Sequence, residues 1–128
     1  VQNVSHYHRN VLAEGLACAE TAAHSPKAVF LDLPKPEQAV PLAAAVLPRG
    51  GRVCVFSPCI EQVQATAQAL AAAGFLAVET VEVLERTLQS RYAPARVEGA
   101  PRRNVFLAGG KGEKTHTGFL TFATKFTA

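Results

Sequence analysis

Two short apolar segments, each ended by a proline and each followed by a helical pattern, constrain the fold of this chain most strongly. The first, Val29–Leu33, stops at Pro34, and the second, Val53–Phe56, is followed by Ser57 and Pro58. Nearly continuous apolar runs of this length are typical of strands buried on both faces of a parallel sheet. The sequence therefore predicts an α/β fold in which each of these strands leads into a helix.

The segments around these strands complete the same order of elements. Residues 39–47 are rich in Ala and predict a helix, in which Pro41 is tolerated only near the first turn. Apolar residues recur at helical spacing over Ser57–Gly74, and a Gly is a frequent residue just past a helix end. Residues 77–84 alternate weakly and predict a third strand, while 118–124 predict a closing strand.

The remaining segment, residues 90–115, is polar and contains Gly and Pro, so it predicts a long loop. The first two strand–helix units predict right-handed parallel crossovers. No helix separates the last two strands, which favours an antiparallel final strand. With 128 residues, 48% of them hydrophobic, we expect a three-layer α/β sandwich with one core and a mostly parallel sheet.

Composition narrows the class of protein. No apolar run is long enough to span a bilayer, and no secretory signal pattern opens the sequence. The three cysteines lack CxxC spacing, which indicates reduced thiols. Cys54 and Cys59, on a predicted strand and at a predicted helix start, are expected to be small buried hydrophobes. The absence of Met indicates an excerpt from a longer protein.

Charge is divided unevenly along the chain. Residues 1–85 carry five Lys or Arg against eight Asp or Glu, a net charge of −3, whereas residues 86–128 carry eight against two, a net charge of +6. A basic segment of this kind indicates either a surface that meets phosphate or a solvated loop.

Polar side chains follow both predicted parallel strands. Ligands of open α/β sheets bind beyond the carboxyl ends of the strands, where Asp32 and the segment Ser57–Gln62 fall. Asp32 has the chemistry to orient an amino group or to accept a proton, or else it caps the next helix. Ser57 is a candidate N-cap with Pro58 at the first helical position, and Glu61 complements the helix dipole.

The sequence gives little support for a metal site, a phosphate-binding loop or a catalytic histidine. His6 and His8 fall on one face of a predicted strand, but no third ligand has suitable spacing, so no metal site is predicted. Gly109–Gly112 lacks the spacing of a phosphate loop. His116 precedes the last strand and is either structural or part of a site.

At this point the motifs carry a family likeness. Five segments resemble the catalytic subunits of eukaryotic tRNA (adenine-58-N1)-methyltransferases in order and spacing, and only about residues 86–114 fall outside the likeness. They are VSHYHRNVLAEG, VFLDLPKPEQAV, GGRVCVFSPCIEQVQATAQALAAAGF, VEVL and HTGFLTFATK.

The resemblance implies the Rossmann-like class I methyltransferase fold, of which this chain is the C-terminal part of a single catalytic domain. It implies S-adenosylmethionine as cofactor and N1 of adenosine 58 in the tRNA T-loop as methyl acceptor. It also implies a heterotetramer with a related non-catalytic subunit, whereas the residues themselves predict no membrane and no metal. A nuclear location is implied, with the cytoplasm or mitochondrion as alternatives.

The resemblance also assigns residues to roles. Asp32 matches the acid between methyl donor and target adenine, and Asn10, Val11 and Asp32 match cofactor contacts. Substrate contacts fall at Leu33, Pro34, Val55, Phe56, Ser57, Pro58, Cys59, Ile60, Glu61, Gln62, His116 and Thr117.

Two departures leave alternatives open. Asn10 stands where the family usually has Asp, and the Gly-rich cofactor loop lies upstream of this sequence, so we expect the fragment alone to bind S-adenosylmethionine poorly. One alternative is a non-catalytic tRNA-binding subunit of the same kind of complex. A Rossmann-like oxidoreductase is a further alternative, without support from the HTG and SPCIEQ segments.

Overall fold

The computed structural model describes residues 3–83, 88–93, 103–108 and 118–127. The chain forms two compact units, residues 1–82 with 118–128, and residues 83–117. Its elements, in chain order, are α1 (Val11–Glu14), α2 (Ala19–Ala23), β1 (Ala28–Leu31), α3 (Pro36–Val46), β2 (Arg52–Ser57), α4 (Ile60–Ala72), β3 (Phe75–Glu82), β4 (Leu88–Ala93), β5 (Arg103–Ala108) and β6 (Phe119–Lys125).

The first unit is built on a four-stranded sheet with the order β1-β2-β6-β3. β1 and β2 are parallel, and β6 is antiparallel to both of its neighbours, β2 and β3. Three strands therefore run in one direction, and the last strand is inserted between two of them against that direction. The predicted antiparallel final strand is confirmed.

Alternation along β2 decides which face of the sheet is buried. Val53 and Val55 are at most 1% exposed and face the same side as Ser57. α3 and α4 pack against each other and against this side, where Leu70 and Phe75 join the core. On the opposite side Phe30 stays 62% exposed. The described residues thus supply one of the two helical layers of the predicted sandwich.

α3 begins three residues before the predicted helix. Pro36 is its first residue, which suits a fixed φ and a missing N–H. Pro41 consequently lies in the second turn and not the first. At the other end, the Lys125 ammonium donates hydrogen bonds to the carbonyl oxygens of Ala44 (2.6 Å) and Leu47 (2.8 Å), which satisfies carbonyls that a helix end leaves unpaired.

The predicted start of α4 is wrong. The helix begins at Ile60 after Cys59 as N-cap, and the N-cap makes no side-chain hydrogen bond. Ser57 does not cap the helix, and Pro58 is not its first residue, because Ser57 remains paired with Phe119 as the last residue of β2. The strand ladder therefore takes precedence over a favourable capping sequence.

The second unit contains an antiparallel pair, β4 with β5. The prediction of a loop over 90–115 is wrong at 90–93 and 103–108. Tyr92, Val105 and Phe106 are good strand formers, but the surrounding Arg and polar residues obscured their signal in the sequence.

The structure also revises the start of the chain, where residues 4–8 form no strand, so His6 and His8 do not share a strand face. Among the described residues, no helix is long and apolar enough to cross a membrane. Cys18, Cys54 and Cys59 are free and half-buried, and burial raises the pKa of the Cys54 thiol.

Candidate active site

The carboxyl ends of β1 and β2 lie side by side. Their parallel register pairs Leu31 with Val55, so Asp32 leaves β1 beside the last two residues of β2. Asp32 is exposed, and its carboxylate is therefore open to a ligand at the sheet edge where open α/β folds bind them. The structure thus brings Asp32 and the SPCIEQ segment to one edge, as the sequence predicts.

One side-chain hydrogen bond joins the two segments that follow these strands. The Gln62 Nε2 group donates to the carbonyl oxygen of Pro34 at 3.1 Å. This bond ties the first turn of α4 to the turn after β1 and so restrains the backbone that carries Asp32. Gln62 is the third residue of α4, a position where Gln often bonds the N-cap backbone instead.

Two buried oxygens at this edge have no hydrogen-bond partner among the described residues. They are the Ser57 Oγ and the Gln62 Oε1, and Ser57 is 0% exposed. Leaving such a group unpaired costs about 1–3 kcal/mol, and buried polar atoms are paired in the great majority of native structures. Folding of the described residues therefore leaves two buried oxygens at this edge without a hydrogen-bond partner.

The closing strand reaches the same edge. Phe119 pairs with Ser57, and Gly118 packs so closely that an added Cβ would lie 2.6 Å from the Phe56 Cε2 atom. Gly118 also has a φ of +117°, which L side chains rarely adopt. The HTG segment therefore enters the edge at Gly118, while His116 and Thr117 lie outside the described residues.

The other predicted contacts differ in accessibility. The Val55 side chain is 0% exposed within the core, and Leu33 is half-buried against that core, so their side chains serve packing. The side chains that face solvent at this edge are those of Pro34, Pro58, Ile60 and Glu61, whereas Phe56 and Cys59 are half-buried.

The predicted cofactor contacts Asn10 and Val11 belong to α1. Asn10 is its N-cap, with Oδ1 accepting from the Leu12 N–H at 3.1 Å and its own N–H donating to Glu14 Oε1 at 2.9 Å. Asn10 is exposed, so its amide group and the second lone pair of Oδ1 stay accessible. α1 packs against α3, and the contact of Asn10 with a cofactor stays a prediction.

A polar pair near the start of the chain was not predicted from the sequence. Tyr7 donates a hydrogen bond to the Glu20 carboxylate. This bond lowers the pKa of Glu20 and raises the pKa of Tyr7, because it favours the carboxylate and the neutral phenol. Over the part of the chain that is described, no cluster of three His, Cys, Asp or Glu side chains is placed to hold a metal ion.

Comparison with known proteins shows the family to which the chain belongs. Residues 1–103 match the family described as tRNA methyltransferase complex GCD14 subunit. The chain belongs to this family.

Curated relatives of the GCD14 family agree in their description. The chain is 53% identical over 64 residues to the tRNA (adenine(58)-N(1))-methyltransferase catalytic subunit of Dictyostelium discoideum, covering 50% of this chain and 20% of that protein. It is 44% identical over 91 residues to the corresponding subunit of Yarrowia lipolytica, covering 70% of this chain and 23% of that one. The chain thus spans about a fifth of the length of these relatives.

Solved structures give the same fold. A SAM-dependent O-methyltransferase from Thermotoga maritima matches with a TM-score of 0.65 and 27% identity, covering 94% of this chain and 38% of that one. The tRNA (m1A58) methyltransferase of Aquifex aeolicus matches in fold with a TM-score of 0.58 at 22% identity, covering 80% and 36%. The predicted Rossmann-like methyltransferase fold, present here as a partial domain, is confirmed.

Proposed function

We propose that the full-length protein transfers a methyl group from S-adenosylmethionine to N1 of adenosine 58 in the tRNA T-loop, as the catalytic subunit of a complex. The observation that carries this proposal is the convergence of Asp32, the turn held by Gln62, and Gly118 of the HTG segment at one sheet edge. Relatives described as catalytic subunits favour this function over the non-catalytic alternative.

Asp32 has the chemistry that this reaction requires. N1 of adenine is a weak nucleophile, and the exocyclic amine beside it becomes acidic once N1 carries a methyl group. An exposed carboxylate at the strand end can accept a hydrogen bond from that amine and disperse the developing charge. Positioning of N1 in line with the methyl group supplies most of the remaining rate enhancement.

Gln62 acts in this proposal as a positioning residue. Its Nε2 group is occupied by the Pro34 carbonyl oxygen, so the amide plane is fixed and its Oε1 has a defined direction. The same bond limits the freedom of the turn that carries Asp32. Errors of about 1 Å in such a turn are costly in rate, because catalysis depends on the alignment of the reacting atoms.

The residues present fit part of the cofactor. The carboxylate of Asp32 and the amide of Asn10 are both exposed and are acceptors for amino or hydroxyl groups. When bound, S-adenosylmethionine supplies the methyl group. Asn10 retains a free lone pair for an amino group after capping α1, which supports the predicted contact despite the departure from Asp.

The proposed partners follow from the family and its relatives. The description of the family as a tRNA methyltransferase complex subunit supports tRNA as substrate and membership of a complex. The resemblance noted in the sequence further suggests a related non-catalytic subunit as partner in a heterotetramer. For the location of the protein we propose the nucleus, with the cytoplasm or mitochondrion as alternatives, and fluorescence imaging of the tagged full-length protein tests it.

Mass spectrometry of tRNA tests the proposed reaction. The full-length protein is co-expressed with its partner, and 1-methyladenosine is quantified for wild type, Asp32→Ala and Asp32→Asn. We expect both variants to lose at least about 100-fold in turnover, with tRNA affinity retained. Glu37→Gln is the control, because Glu37 carries the same charge in the first turn of α3.

The results separate the two functions. Turnover in the wild type that collapses only in the Asp32 variants supports catalysis at Asp32. A folded wild-type complex that binds tRNA but forms no 1-methyladenosine supports the non-catalytic subunit instead.

A further inference from the structure

The opposite end of the sheet carries a basic groove. It has a volume of about 430 Å³ and is lined by residues from the start of β1, the turn after α3 and the start of β2, namely Lys27, Ala28, Pro48, Arg49, Gly50, Gly51 and Arg52. Three of the seven are cations, and all three are exposed. Within the described ranges, none of these cations forms an ion pair with a carboxylate.

Three backbone N–H groups of the groove are already bonded within the chain. The N–H groups of Gly50, Gly51 and Arg52 donate to the carbonyl oxygens of Lys125, Pro48 and Lys27 at 2.8, 2.9 and 3.0 Å. These three N–H groups are therefore not available to enclose a phosphate, as those of a phosphate-binding loop are. An anion in the groove meets the three exposed side-chain charges.

The backbone turn at the groove, Pro48–Gly51, is conformationally restricted. Gly51 accepts no Cβ, because one would lie 2.9 Å from both Leu47 Cδ2 and the Pro48 carbonyl oxygen. Gly50 has a φ of +82°, as the third position of a type II turn requires. Arg49, beside it in this turn, has its guanidinium carbon 4.9 Å from the centre of the Phe126 ring, a cation–π distance.

We infer that this groove, formed by Lys27, Arg49 and Arg52, is a contact site for the phosphate backbone of tRNA, separate from the site around Asp32. The inference rests on the proposed function for the identity of the RNA. Exposed cations without a carboxylate partner suit phosphates spaced along a chain, because each long side chain can reach one phosphate. The net charge of +6 over residues 86–128 is separate from these cations, which all precede that segment.

Distance separates the groove from the chemistry. β2 has six residues, and at a rise of about 3.3 Å per residue its first and last residues lie about 17 Å apart. Loss of the groove cations should therefore weaken tRNA binding without changing the methyl transfer rate of bound tRNA. Phosphate contacts of this kind position the RNA and do not read its sequence.

The test uses the full-length protein in complex with its partner. The variant replaces Lys27, Arg49 and Arg52 with Gln, and the tRNA Kd is measured against salt concentration beside single-turnover methylation. We expect the Kd to rise at least about tenfold, and the slope of log Kd against log salt to fall by about one for each lost phosphate contact. The rate at saturating tRNA should stay unchanged.

A matched control changes net charge equally at another place. Gln64→Glu with Gln68→Glu and Ala71→Glu lowers the charge by the same three units on exposed positions of α4. We expect a smaller loss of affinity and a wild-type salt slope. Equal effects of the two triple variants would show that only net charge matters, which would overturn the groove as a site.

Three further outcomes would also overturn the inference. They are wild-type tRNA affinity in the groove variant, loss of the partner subunit from the purified variant, and competition by inorganic phosphate at constant ionic strength that only the wild type shows. The last would indicate a site for a free phosphate compound. A wild-type complex without methylation would contradict the proposed function instead, so the two failures are distinguishable.

Discussion

The two ends of the parallel strands in the first unit differ in what folding leaves unsatisfied. At the carboxyl end, buried neutral oxygens of Ser57 and Gln62 have no partner among the described residues, and α4 lacks a side-chain cap. At the amino end, the N–H groups of Gly50, Gly51 and Arg52 are bonded, and Lys125 satisfies the end of α3. Exposed positive charge without a described carboxylate partner remains there.

This difference corresponds to two kinds of recognition. A buried oxygen that lacks a partner costs stability and demands a partner with defined geometry, as a base edge or cofactor has. An exposed cation without a partner costs almost no stability, because water solvates it, and it can bind phosphate without strict geometry. The carboxyl end is therefore suited to chemistry, and the amino end to holding a polyanion.

The largest expected effect concerns the glycines at the two ends. Gly118→Ala places a Cβ 2.6 Å from Phe56 Cε2 at a φ of +117°, so it combines backbone strain with overpacking and should cost about 2–4 kcal/mol of unfolding free energy. Gly50→Ala has a φ of +82° with nothing within 4 Å and should cost about 1–2 kcal/mol. Urea unfolding of the full-length protein measures both, and equal losses would mean that Phe56 gives way.

The next effect tests whether the amino end is held by Lys125. Lys125→Met removes both hydrogen bonds to the Ala44 and Leu47 carbonyl oxygens and should cost about 2 kcal/mol of unfolding free energy. Lys35→Met, at an exposed Lys that precedes α3, is the control and should change it by less than about 0.5 kcal/mol. A Lys125 variant as stable as this control would show that the Lys125 ammonium does not stabilise the end of α3.

Removal of an unpaired buried oxygen should stabilise the protein, whereas the glycine and Lys125 substitutions should destabilise it. Ser57→Ala removes a buried hydroxyl without a described partner, so the unfolding free energy should stay constant or rise by up to about 1 kcal/mol, while methylation slows. Thr66→Val removes another such hydroxyl, on α4, and should raise stability without slowing methylation. A destabilised Thr66→Val protein would show that the hydroxyl has a partner.

Loss of the bond between the two site segments should have a moderate kinetic effect. Gln62→Leu removes the hydrogen bond to Pro34, worth about 1 kcal/mol, and should lower kcat about fivefold with little change in KM. Gln64→Leu, on the exposed side of the same helix, is the matched control. An effect confined to KM would indicate a direct role in tRNA binding and not in positioning Asp32.

The smallest effect belongs to an exposed pair near the start of the chain, Tyr7 with Glu20. The hydrogen bond from Tyr7 holds the pKa of Glu20 below its ordinary value of 4.5. The stabilisation is present above that value and is lost as the pH falls through the lower folded pKa. An NMR titration of Glu20 should show its pKa rising in Tyr7→Phe, and an unchanged pKa would mean that the bond does not form in solution.

Local patterns in the sequence were sufficient for much of the fold. Apolar runs fixed β1 and β2, helical spacing fixed α3 and α4, and the missing helix before β6 predicted its antiparallel direction. Where local signals competed, prediction failed. The favourable capping sequence Ser57-Pro58 did not start a helix, because pairing with Phe119 kept Ser57 in the strand, and strand-forming residues of β4 and β5 were obscured by their polar surroundings.

The sequence by itself singled out Asp32 and the SPCIEQ and HTG segments, from motif and order, as the residues predicted to carry the chemistry. Only the tertiary structure decided which of them meet. Insertion of β6 between β2 and β3 brings Gly118 beside Phe56, and the packing of α4 brings Gln62 to Pro34. The parallel pairing of β1 with β2 brings Lys27 beside Arg52 and Arg49 at one groove. Such contacts join residues far apart in the chain, so they depend on strand register and helix placement, which no local pattern encodes.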